Sequence, residues 1–89
     1  MTAMAATRLS TPAQVGAAVR GARRRAEMTQ SELADRAGVS RRWIIMLEQG
    51  QASRAELGKI LDTLDALGLS LKVTPADQPS PLAHLLEDL

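Results

Sequence analysis

A chain of 89 residues with 45% apolar content can build one small domain and no more. The absence of cysteine excludes disulfides and thiolate metal sites, and the single histidine, His84, has no second ligand near it in sequence, so no metal site or cofactor is expected. The net charge of +1 hides an asymmetry: residues 1–59 hold ten basic against five acidic residues, whereas residues 60–89 hold one against five. A phosphate-binding surface therefore belongs to the first two thirds of the chain. No apolar run reaches the roughly 18 residues of a membrane span. Met1–Leu9 lacks the order of a secretory signal, so a cytoplasmic location is expected. With no Cys, no Tyr and one isolated His, an enzyme is not expected.

Residues 1–9 are small and without period, which predicts a flexible N-terminal arm. The folded domain is expected over 10–75 and a flexible C-terminal tail over 76–89. Ser10 or Thr11 caps a first helix with Pro12 in its first turn. Val15, Val19, Ala22 and Ala26 mark its inner face. Arg20, Arg23, Arg24 and Arg25 form the densest basic cluster of the chain near its end. Thr29 caps a second helix over 30–37, with Glu32 placed to complete a capping box. Leu33, Ala34 and Ala37 give that helix one apolar face. Gly38 then turns the chain in a left-handed conformation, Val39 plugs the corner and Ser40 caps a third helix over 41–49. Ile44 and Leu47 point back into the core, leaving Arg41, Arg42, Trp43, Ile45 and Met46 outward.

Two short helices joined by a glycine turn, the second with a free face, form a helix-turn-helix, and that free face enters the major groove of DNA. The expected partner is double-stranded operator DNA. Arg41 and Arg42 can pair with guanine edges in bidentate fashion. Gln30 and Ser31 open the second helix, whose free amides suit a phosphate, and Ser40 stands at the head of the reading helix. Arg24 is expected on the DNA backbone. Ile45 can only pack on thymine methyls or on protein. Trp43 either contacts the groove or braces the first helix. Glu48 is expected to bond within the protein, because a carboxylate facing phosphate would repel it.

Ser53 is the expected cap of a fourth helix striped by Leu57, Ile60, Leu61, Leu64 and Leu67 and ended by Gly68. Leu69, Leu71 and Val73 alternate with polar residues, the period of a half-buried strand that Pro75 stops. One strand alone cannot satisfy its own backbone, so pairing with the same strand of a second copy is predicted, giving a homodimer. Ser80-Pro81 opens a short amphipathic segment with Leu82, Leu85, Leu86 and Leu89 on one face.

Thr29-Gln30, Leu33-Ala34, Gly38-Val39-Ser40, Ile44, Leu47-Glu48 and Gly50 resemble the pattern of the lambda-repressor-like (Cro/C1, XRE) helix-turn-helix family over roughly residues 12–67. The run from Ala55 to Pro75 is similar to that of the HipB-like antitoxins. The resemblance implies a mainly α fold: a compact four-helix domain with a short C-terminal strand that pairs across a dimer. It implies that Gln30 binds the DNA backbone and buttresses the reading helix. The function it implies is a transcriptional repressor and antitoxin, binding both its operator and a HipA-like serine/threonine kinase toxin. A stand-alone regulator with no toxin is the alternative. A protein-interaction adaptor that ignores DNA is the third reading, and Arg41 and Arg42 argue against it.

Overall fold

The computed structural model describes residues 8–76. Four helices follow one another: α1 (Pro12–Arg25), α2 (Gln30–Ala37), α3 (Arg41–Glu48) and α4 (Leu57–Ala66). The arm residues 1–7, the tail 77–89, His84 and the Leu82–Leu89 stripe lie outside the described residues.

The first three helices begin where their caps dictate. Thr11 and Thr29 each accept a bond from the amide three residues on, and the side chains of Gln14 and Glu32 accept from the cap amides in return. Ser40 accepts from the Trp43 amide at 3.0 Å. The fourth helix starts differently from the expectation. Ser53 does not cap it, because Ala52–Ala55 closes a turn of its own through the Ala55 amide and the Ala52 carbonyl, 3.3 Å apart. The helix begins only after Glu56, which makes no side-chain cap bond.

All four helices stop in one way. An amide donates back across six residues, Met28 to Arg23, Val39 to Ala34, Gln51 to Met46 and Leu69 to Leu64, at 2.8–3.0 Å. A companion bond runs from the residue before each donor. That preceding residue must be left-handed. Gly38, Gly50 and Gly68 fill the role at φ of 71–73°, but at the end of α1 the role falls to Glu27, at φ 55°. A side chain in that conformation costs roughly 1–2 kcal/mol. Because α1 stops here, Ala26 lies exposed beyond the helix, not on its inner face.

Val19, Met28, Leu33, Ala34, Ile44, Leu47 and Leu64 form the core, with Val15, Val39, Ile60, Leu67 and Leu69 packed around it. Helix α1 crosses α3 so closely that a methyl group on Gly16 would overlap the Leu47 carbonyl oxygen. The α4 stripe is only partly covered. Leu64 is buried, but Leu57 and Leu61 remain 63% and 43% exposed, and Thr63 is buried instead, its hydroxyl donating to the Lys59 carbonyl at 2.7 Å. The five leucine and isoleucine positions span a wider arc than the neighbouring helices can cover. Beyond α4, Leu69 folds onto the core, while Leu71 and Val73 stand 49% and 99% exposed. The described residues contain no strand in the single chain.

Candidate nucleic-acid interface

The site is organised around a carboxylate in an unfavourable place. Glu48 ends α3, where the helix dipole is negative, and its side chain is only 4% exposed. Arg23 of α1 answers it with a fork: Nε donates to Oε2 at 2.7 Å and Nη2 to Oε1 at 2.9 Å. Gln30 Nε2 donates to Oε1 at 3.3 Å. The remaining arm of the guanidinium, Nη1, donates to the Met28 carbonyl at 2.8 Å. The hydrogen bond that Arg23 donates to Glu48 raises the Arg23 pKa above its ordinary value, against the opposing effect of burial. One charge pair thereby joins the end of α1, the α1–α2 turn, the start of α2 and the end of α3. Glu48 bonds within the protein, as its sign requires.

Above this junction lies a cleft of about 600 Å³. Arg20, Arg23 and Arg24 line it from α1, Thr29, Gln30 and Ser31 from the start of α2, and Arg41, Ile45, Glu48 and Gln49 from α3. The Arg20, Arg24 and Arg41 side chains are exposed, and among the described residues none has an acidic partner. With Glu48 neutralised beneath, three guanidinium groups and the open amides of α2 face one concavity. Its chemistry suits a chain of phosphates.

Of the residues singled out from sequence, the fold brings Arg24, Gln30, Ser31, Arg41 and Ile45 into this cleft. Ser40 and Arg42 are exposed at the head of α3, outside its lining, and the Ser40 hydroxyl is engaged in capping. Trp43 is half-buried against the core, with Lys59 Nζ 6.0 Å from its ring centroid. It packs on the core beside Lys59 of α4 and does not line the cleft. Arg20 was expected only as a member of the basic cluster, and Gln49 was not anticipated. The spacing of Arg20 and Arg24, one helical turn apart, carries the signal for the first. Gln49 carries none.

Four short helices around one core, with a basic cleft lined by the first three, define an XRE-like helix-turn-helix DNA-binding module. Residues 14–76 match the family model described as a helix-turn-helix domain. An uncharacterized HTH-type transcriptional regulator, y4mF of Sinorhizobium fredii, is 44% identical over 68 residues, which span 76% of this chain and 88% of that one. Two solved complexes share the fold. A HipB variant with an O2 20mer superposes at a TM-score of 0.74 with 25% identity, covering 82% of this chain and 100% of that one. HipB with an O4 20mer gives 0.71 and 27%, covering 79% and 97%. The chain belongs to the helix-turn-helix family of DNA-binding transcriptional regulators. No helix among the described residues is long and apolar enough to cross a membrane.

Proposed function

We propose that the chain is a dimeric, operator-binding repressor that serves as the antitoxin of a HipBA-like pair. The observation that carries the DNA half is the cleft. Arg41, at the first position of α3, shares it with Gln30, Ser31 and Arg24, so a group reaching for base edges stands beside groups suited to the backbone. Gln30 has a double role in this reading, binding phosphate from the head of α2 while its amide holds Glu48 of α3. Arg42 and Ser40 extend the contact along the groove beyond the cleft. Ile45, half-buried in the cleft wall, presents a methyl surface.

The dimer half rests on residues 69–73, whose alternating pattern has no strand to pair with among the described residues. Leu71, Val73, Leu57 and Leu61 are the exposed apolar groups that a second copy would cover. The antitoxin half rests on the likeness to HipB. A stand-alone regulator is the second reading, in line with the 44% identical relative named as an HTH-type transcriptional regulator. Fluorescence anisotropy on the gene's own upstream duplex tests the DNA half. The expected result is tighter binding than to random duplex, with Arg41→Ala narrowing the gap by about 1–3 kcal/mol. Equal affinity for both duplexes rejects the repressor reading. Co-expression with the adjacent reading frames tests the toxin half: a co-purifying kinase-like protein supports the antitoxin reading, and none leaves the plain regulator.

A further inference from the structure

The run Arg20–Arg25 holds four arginines that sequence alone treats as one cluster. The fold gives them separate surroundings. Arg23 is consumed: its guanidinium donates to Glu48 and to the Met28 carbonyl. Arg25 lies back along its own helix, with Nη1 3.2 Å from where a Cβ on Gly21 would stand, and it does not line the cleft. Arg20 and Arg24 remain. They are one turn apart on the same face of α1, their Cβ atoms about 5–6 Å from one another. Both line the cleft facing Gln30, Ser31 and Arg41, and neither has an acidic partner among the described residues.

We propose that Arg20 and Arg24 form a clamp on α1 that grips the sugar–phosphate backbone flanking the groove entered by α3, while Arg23 and Arg25 make no phosphate contact. This rests on the DNA-binding reading and sharpens it. The clamp contributes affinity and register without reading sequence, because a guanidinium at a phosphate meets no base edge. Arg20, which no comparison assigns, thereby becomes a nucleic-acid contact equal in weight to Arg24. The physical distinction is between two localised contacts and a diffuse positive field. A localised contact releases counterions at one phosphate, whereas a field depends only on total charge.

The test is the salt dependence of binding by the full chain to a random-sequence duplex of about three helical turns. Arg20→Ala and Arg24→Ala should each lower the slope of log affinity against log salt by about 0.9. Arg25→Ala, with the same loss of charge, should leave the slope unchanged, and Arg20→Lys should restore it. Preference for the upstream duplex over the random one should survive both clamp substitutions. Equal losses for Arg20→Ala and Arg25→Ala would overturn the clamp in favour of a diffuse field, and an unchanged Arg20→Ala slope would overturn it outright. Wild-type protein with no salt-dependent binding at all would instead strike the DNA-binding reading beneath it.

Discussion

Around the cleft, α3 is held by directional polar bonds. Glu48 accepts from Arg23 twice and from Gln30 once, and no buried side-chain polar atom of the described residues lacks a partner. The region of α4 and residues 69–76 is built from apolar contacts, and it leaves Leu57, Leu61, Leu71 and Val73 in solvent. The difference separates two kinds of completeness. A forked charge pair fixes orientation, because it works in one geometry only, so α3 is already held in place in the single chain. Apolar burial is non-directional and gains with every additional surface covered, so the proposed second copy would gain most on this half-covered leucine face.

Four changes break or sharpen this contrast. The largest effect is expected from Glu48→Ala, which strands Arg23 half-buried without its partner. Loss of a buried partner costs about 3–5 kcal/mol, and chemical denaturation should show a loss of that order. A loss below about 1 kcal/mol would put the pair in the class of surface bridges and remove it as the organiser of the cleft.

Leu71→Pro acts on the other region. Proline removes an amide donor from the proposed ribbon in both copies. At about 0.5–1.5 kcal/mol per bond, dimer affinity should fall roughly ten- to hundredfold by sedimentation, while the stability of the isolated fold hardly changes. An unaltered dimer would reject the ribbon.

Glu27→Gly should raise stability. It relieves the one left-handed helix stop that lacks glycine, partly offset by the freer unfolded chain, for a net gain of about 0.5–1 kcal/mol. That corresponds to several degrees in Tm, and a lower Tm would show that the Glu27 side chain makes a compensating contact.

The smallest effect is a pH dependence at the head of α2. The Thr29 amide, then its hydroxyl, holds the exposed Glu32 carboxyl below the ordinary glutamate range, with a lesser contribution from Arg36. A depressed folded-state pKa means stabilisation present above the ordinary pKa and lost as pH falls through the depressed one. Wild type should therefore exceed Glu32→Gln slightly at neutral pH and converge with it in acid; a constant gap across that range would deny the carboxylate its capping role.

How much was legible depended on how local the cause was. Thr29 with Glu32, Gly38 and Ser40 act within four residues of themselves, so the caps and the turn of the helix-turn-helix could be read directly. The burial of Leu33, Ile44 and Leu47 followed from helical period. The sign of Glu48 was enough to turn it inward. Those features arise from backbone hydrogen bonding and side-chain periodicity, which a linear chain displays. What only the tertiary structure decided were relations between distant segments. It chose Arg23 from among four arginines as the partner of Glu48, 25 residues away. It put Trp43 under Lys59 of α4, made Gly16 the point where α1 meets the Leu47 carbonyl, and left Leu57 and Leu61 uncovered while burying Thr63. Each of these depends on which faces of two helices meet and at what distance. A helix's own period shows that a face exists, and only the packing of its neighbours settles what fills it.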